Sequence, residues 1–297
     1  MGPWGQGARG PRDHGPAAWE QAVLECPGME STSTNRPAVL VFAGLDPTGG
    51  AGLQADIEAI GAMGGHALPV ATAITAQDTR DVRSCTPVGA LSIIEQARVV
   101  LEDIDVAAFK VGLVGSVEAM GAIHTILKDY EGTPVVVDPV CASGAGTALA
   151  DDEQMDAMVS LLLPMATVVT PNTIEARLLT PEADSLNASA QELLSYGCDF
   201  VLLTGTHDSS ADVVHRLYGD RRLIQSFRCE RLPGSYHGSG CTLASAIAAL
   251  LGHGLDAQAA AREAIAYTLE TLKRATALGG GQLIPQRLHR IRETRRQ

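Results

Sequence analysis

The sequence predicts an α/β fold built on a central, mostly parallel sheet with helices on both faces. Short apolar runs alternate with longer segments of helical spacing along most of the chain. That alternation produces βαβ units, which assemble into parallel sheets covered on both sides. Polar and glycine-rich clusters follow the apolar runs, where open α/β sheets take their ligands.

The first apolar run, residues 38–43, ends at Gly44 and predicts a buried strand. A glycine-rich loop follows, and helical spacing then covers 53–63. Residues 68–75 predict a strand, 91–101 a helix, 107–111 a strand, 117–130 a helix and 134–138 a strand. The segment 151–163 predicts a helix whose acidic start complements its dipole. Residues 168–170 predict a strand, 173–179 and 189–196 two helices, and 200–204 a further strand. The runs 213–218 and 223–227 flank Gly219-Asp220 and predict a hairpin. Helices over 242–251 and 257–275 close the pattern. Residues 1–36 are rich in Gly, Pro, Ser and Thr and predict a disordered N-terminal extension. Within it, residues 19–24 have the pattern of a short helix that docks on the body. Residues 37–297 then make a single domain, with no internal repeat and no second boundary.

The formal charge of -12 and the absence of any dense Lys/Arg block argue against nucleic acid as a partner. Lysine occurs only at 110, 128 and 273, and none follows a glycine, so no Walker A loop is present. The six cysteines have no Cys-x-x-Cys spacing, and the eight histidines form no ligand cluster, which fits a reducing cytosol better than a zinc site or a disulfide framework. The start of the chain has no apolar signal core, and no segment approaches a membrane span. The expected location is cytoplasmic.

His237-Gly238-Ser239-Gly240-Cys241-Thr242-Leu243 carries the most chemistry. Glycines ahead of a helix expose backbone N–H groups, and the helix dipole adds positive potential, so the stretch can cradle a phosphate. Cys241 in the first turn is expected to have a lowered pKa. The plainer reading is a glycine turn with Ser239 as helix cap. Asp138 ends the strand Val135-Val136-Val137, where a carboxylate can hold magnesium or cap a turn. Asn172 and Glu175 share a helix face, and their spacing also suits a capping box. Asp56 lies early in the helix after the glycine loop, where the dipole alone accounts for it. Gln77 offers an amide that can read the edge of a heterocycle. His237 either orients the anion loop or packs, and packing is the favoured reading.

Taken in order, these segments resemble the hydroxymethylpyrimidine/phosphomethylpyrimidine kinase branch of the ribokinase-like superfamily. The matching stretches begin with Ala43-Gly44-Leu45-Asp46-Pro47-Thr48-Gly49-Gly50-Ala51-Gly52-Leu53-Gln54-Ala55-Asp56 and Thr72-Ala73-Ile74-Thr75-Ala76-Gln77-Asp78-Thr79. They continue with Lys110-Val111-Gly112-Leu113, Val137-Asp138-Pro139-Val140, Leu163 to Asn172, and the anion loop from His237 to Thr242. The resemblance runs from about 38 to 275. It implies a three-layer α/β/α sandwich, ATP with Mg2+, a small pyrimidine substrate of the thiamine pathway, and a homodimer. By it, backbone N–H groups of Gly238, Ser239, Gly240 and Cys241 hold the transferring phosphoryl group, and Cys241 takes the substrate hydroxyl proton. Asp138 and Glu175 position magnesium. Gly44, Asp56 and Gln77 hold the pyrimidine, while Thr204, Thr206 and Asn172 lie along the nucleotide.

Three positions depart from the family pattern. The family commonly has Val-Lys-Gly-Gly-His where this chain has Leu203-Thr204-Gly205-Thr206-His207, and Ala-Lys-Ser-Gly-Asp where it has Ser143-Gly144-Ala145-Gly146-Thr147. The asparagine of Ala-Gln-Asn-Thr is Asp78 here. With both lysines missing, and no arginine in the matching loops, the first phosphorylation is expected to outpace the second. Two other readings stand beside this one: a pyridoxal or pyridoxine kinase, and a non-catalytic nucleotide- or pyrimidine-binding relative.

Overall fold

The computed structural model describes residues 36–144, 146–206 and 211–289. The expected extension over 1–36 (Arg36 apart), its short helix at 19–24, Ala145 and His207 lie outside them. All described residues belong to one compact unit.

Nine strands form one sheet among the described residues, in the order β3-β2-β1-β4-β5-β6-β7-β8-β9. They are β1 (Ala38–Leu45), β2 (His66–Gln77), β3 (Val82–Pro87), β4 (Ala108–Val111), β5 (Val135–Val137), β6 (Val168–Val169), β7 (Phe200–Leu203), β8 (Asp212–Gly219) and β9 (Arg222–Glu230). From β2 across to β7 every pairing is parallel, while β3, β8 and β9 add antiparallel edges. The parallel strands read as continuous apolar runs because both of their faces are covered.

Among the described residues eight α-helices cover those faces: α1 (Gly52–Ala62), α2 (Ala90–Leu101), α3 (Val117–Lys128), α4 (Asp152–Ala157), α5 (Thr173–Leu179), α6 (Leu186–Ser195), α7 (Ser239–Gly252) and α8 (Ala257–Lys273). Side-chain alternation in β1 divides the interior. Leu40 and Phe42 join the core beneath α2, α3, α5 and α6, while Val39, Val41 and Ala43 join the core beneath α1, α7 and α8. The result is the expected three-layer α/β/α sandwich.

Two elements differ from expectation. β3 carries no apolar run and is mostly exposed, so only its antiparallel pairing with β2 reveals it. The helix expected over 151–163 opens with a capping box between Asp151 and Gln154. It stays α-helical only to Ala157, then widens to a π-turn over Met158–Leu162 and tightens to 3-10 over Leu163–Met165, where Pro164 lacks a backbone donor. Beyond α8, the chain returns to the carboxyl ends of the strands through bridges Thr276↔Ile284 and Tyr236↔Leu283.

Candidate active site

The ends of β1, β2, β4 and β5, the loops after β6 and β7, and the start of α7 surround a cleft of about 990 Å³. Gly44, Gln77, Asp138, Asn172, Glu175, Thr204, Thr206, Gly238, Ser239, Gly240 and Cys241 all line it. The strand-end polar clusters therefore converge as expected. Asp56 is the exception.

Gly238 explains the anion loop. It is the N-cap of α7, with φ 71 and ψ 24 in the left-handed region, and no side chain caps the helix. A Cβ there would collide with the carbonyl oxygen of Gly50 and lie 2.8 Å from Ala51 Cα, so only glycine fits. Thr242 N donates to Gly238 O at 3.0 Å, the first helical bond. The earlier N–H groups of the helix have no acceptor within it, and they carry the positive end of its dipole. The capping role expected of Ser239 is corrected: Ser239 is the first helical residue, and Gly238 is the cap.

Cys241 also departs from expectation. Its thiol is pushed up to about 12 rather than down. Burial is the main cause, and the carboxylates of Asp138 and Asp56 add to it. The Lys110 ammonium and the Gly52 N–H oppose the rise without reversing it. The thiol donates a hydrogen bond to Asp138. Helix position alone therefore misjudged the field at the sulfur.

Asp138 is buried at the end of β5. Its Oδ1 accepts from Thr170 Oγ1 at 3.2 Å, and the carboxylate faces Gly240, where a Cβ would stand 3.6 Å from Oδ1. Burial raises its pKa, Lys110 opposes that, and Asp56 adds to it. Glu175 is buried as well and is raised by burial and by Asp138. Asn172 and Glu175 do form a capping box. Asn172 Oδ1 accepts from Ile174 N at 2.8 Å and Glu175 N at 2.9 Å, while Glu175 Oε2 accepts from Asn172 N at 2.9 Å. The cap orients Glu175 without removing it from the cleft. Thr204 bridges to Asn172 in parallel and lies beside it.

Asp56 does not line the cleft. It is wholly buried, its Oδ1 3.0 Å from Lys110 Nζ and 2.6 Å from the donating Ser245 Oγ. Expected to hold substrate, it pairs with Lys110, which does line the cleft. Burial alone would lower the Lys110 pKa, but Asp56, with Cys241 and Asp138, holds the ammonium well above its ordinary value.

Two further residues were missed, and a third, His237, was weighed but read as packing. His237 Nε2 lies 2.8 Å from Asp46 Oδ2, so the histidine does more than pack. Burial would raise Asp46, but hydrogen bonds from His237, Thr48 and Gln77 hold it well below the usual carboxylate range. Arg231 donates from Nη1 to Thr206 O at 2.8 Å and from Nη2 to Gly205 O at 3.5 Å. The fold thus brings an arginine to a turn whose own sequence has no cation. Arg287 is wholly buried against Gly49, Gly50 and Thr242. Only His237 had a local signal, its place beside the anion loop.

Asp78, the residue that departs from the family asparagine, closes its own turn. Oδ1 accepts from Arg80 N at 2.8 Å, and Oδ2 pairs with Arg83 Nη2 at 3.1 Å.

Among the described residues no helix is long and apolar enough to cross a membrane. Residues 46–286 match the family described as phosphomethylpyrimidine kinase. A hydroxymethylpyrimidine/phosphomethylpyrimidine kinase of Mycobacterium tuberculosis is 38% identical over 264 residues, covering 87% of this chain and 94% of that one. The structure of a phosphomethylpyrimidine kinase from Clostridium difficile superposes with a TM-score of 0.70 at 34% identity, over 80% of this chain and all of the other (100%). An ADP complex of Bacillus subtilis pyridoxal kinase gives 0.77 at 25% identity, over 85% and 98% of the two chains. With the matched span reaching from the glycine-rich loop after β1 to the segment that returns beyond α8, the chain belongs to the phosphomethylpyrimidine kinase family.

Proposed function

We propose that this kinase transfers the γ-phosphoryl group of ATP to the hydroxymethyl group of 4-amino-5-hydroxymethyl-2-methylpyrimidine, and more slowly to the resulting monophosphate, in thiamine biosynthesis. The observation that carries this reading is the left-handed glycine cap of α7, which leaves the backbone donors of the first turn, Cys241 among them, in one cleft with Asp138. Relatives named for these two kinase steps match most of the chain.

The residues fit a magnesium-bound nucleotide. No group of three or more His, Cys, Asp or Glu side chains among the described residues could hold a metal alone. Two buried carboxylates, Asp138 and Glu175, the first of which raises the pKa of the second, instead suit a cation whose other ligands are phosphates and water. Bound there, magnesium would offset phosphate charge and the carboxylate field.

Phosphoryl transfer depends mainly on positioning and on charge stabilisation. The N–H groups at the start of α7 receive the phosphoryl oxygens. Gly44 lines the cleft without a side chain and so allows close approach of the substrate ring. Gln77 reads the ring edge. Thr204, Thr206 and Arg231 flank the nucleotide phosphates. The substrate oxygen attacks phosphorus as its proton passes to Cys241. Because the resting residue holds its own proton, the thiol must yield it before it accepts that of the substrate. Asp56 acts through Lys110 rather than on the ring.

The five described cysteines are free, which supports a reducing, cytoplasmic setting. The homodimer belongs to the same reading, and light scattering tests it. The decisive experiment measures ATP consumption with hydroxymethylpyrimidine, its monophosphate and pyridoxal side by side. Turnover with pyridoxal alone would replace the pyrimidine reading with the vitamin B6 one, which the likeness to pyridoxal kinases favours. ADP binding without turnover on any of the three would support the non-catalytic reading.

A further inference from the structure

Arg287 joins three segments that lie far apart in the chain. Nε donates to Thr242 Oγ1 at 2.8 Å, at the first turn of α7. Nη1 donates to Gly49 O at 3.4 Å and lies 3.3 Å from Glu58 Oε2 on α1. Nη2 donates to the carbonyl oxygen of Gly50. Thr242 extends the chain of bonds, because its hydroxyl donates to Gly238 O at 2.7 Å. The guanidinium thus holds the glycine-rich loop after β1 and, through Thr242, the peptide that shapes the anion loop. Tyr267 Oη donates to Arg287 O at 3.0 Å and fixes the backbone that presents it.

Packing alone does not account for this residue. A wholly buried guanidinium carries a desolvation penalty that an apolar side chain of similar size would avoid. Its planar fork can reach acceptors on several segments at once, which an ammonium cannot. The two loops also leave no slack where they meet. A Cβ on Gly238 would stand 2.9 Å from Arg287 Nη2, and it would collide with Gly50 O.

We propose that Arg287 is a positioning residue that couples the substrate-side loop to the phosphoryl-side loop, so that ordering one orders the other. Its catalytic consequence rests on the reading under Proposed function; the coupling itself does not. The first test therefore uses nucleotide alone. Amide hydrogen exchange is followed over residues 46–52 with and without a non-hydrolysable ATP analogue, in the wild-type chain, Arg287→Lys and Arg287→Met. The analogue should slow exchange of this loop in the wild type, and that protection should be lost in both variants, while analogue affinity changes by less than about tenfold. Equal protection in all three proteins, or none in the wild type, overturns the proposal.

The second test is kinetic. Both variants should lose kcat on the order of 10²-fold, the scale of a misplaced reacting group, with a smaller change in KM. If neither variant folds, Thr242→Val decides. It removes the link to Gly238 while leaving the other Arg287 contacts, and it should lose the same loop protection. Retained protection in Thr242→Val overturns the proposal. A wild-type chain that shows loop protection but no turnover of pyrimidine counts against the proposed substrate, not against the coupling.

Discussion

The Lys110 ammonium lies 3.0 Å from the Asp56 carboxylate, and both side chains are fully excluded from solvent. Removing one partner from such a pair leaves the other charge buried and uncompensated, which costs roughly 3–5 kcal/mol. Asp56→Ala is expected to lose stability on that scale in urea unfolding, while Asp56→Leu combined with Lys110→Met recovers most of it. A loss below about 1 kcal/mol in the single variant would show that the pair does not contribute on this scale. The pH sense follows from the raised Lys110 pKa. The pair's contribution is complete below the ordinary lysine range and is lost only as pH climbs through the elevated folded value.

Cys241 gives the second prediction. Alkylation requires the thiolate, and a thiol pushed up to about 12 presents very little of it near neutrality. In the free enzyme, iodoacetamide should label Cys241 on the order of 10²-fold more slowly than an ordinary cysteine at pH 8, with the rate rising steadily into alkaline pH. Mass spectrometry distinguishes this site from Cys85 and Cys229. Cys241→Ala should cut turnover by roughly 10²-fold while ADP binding persists. Rapid labelling at pH 7 would restore the resting thiolate expected from helix position.

What was legible follows from the range of each effect. The parallel strands announce themselves locally, because a run such as Val135-Val136-Val137 has few other uses. β3 has no such run, and its identity lies in a partner strand. Local glycine chemistry marked the anion loop, but its cap depends on Gly50, a residue distant in sequence. The same holds for charge. A carboxylate at Asp56 is visible in sequence, whereas its bond to Lys110 spans 54 residues. Arg231 and Arg287 reach the cleft region from segments outside every matched motif, so nothing in their own neighbourhoods marked them.

His215 supplies a pH prediction away from the chemistry. Burial pushes its imidazole down to about 4, and its Nδ1 has no hydrogen-bond partner. The unfolded chain therefore binds a proton at this site between the ordinary histidine value and about 4, and the folded protein does not. Stability should fall as pH drops through that window, by roughly 3 kcal/mol in total. Asp138 and Glu175, both raised, push the other way, since their burial as carboxylates weakens the fold as pH rises. Comparing melting curves of the wild type and His215→Leu isolates the histidine. The variant should show a flatter acid limb. Parallel limbs would mean that His215 does not titrate differently in the fold.

The last prediction concerns the second phosphorylation. An already phosphorylated substrate must approach the ATP γ-phosphate in a partly desolvated cleft, where like charges repel by several kcal/mol unless cations offset them. Thr204 and Gly144 stand where the family commonly has lysine, which led to the expectation of a slow second step. The fold softens that expectation, because Arg231 reaches the Thr204–Thr206 turn through the carbonyls of Gly205 and Thr206. It does not remove it, since hydrogen bonds to the two carbonyls hold the guanidinium to the backbone of this turn. Monophosphate should therefore accumulate before diphosphate in a time course resolved by chromatography. Arg231→Ala should slow the second step more than the first, by about tenfold against about threefold, because only the second brings two phosphorylated molecules together. Thr204→Lys should reverse the bias, with the larger gain in the second step. Diphosphate that appears without a lag in the wild type, or equal slowing of both steps in Arg231→Ala, would show that the backbone donors of α7 and the bound cation suffice without Arg231.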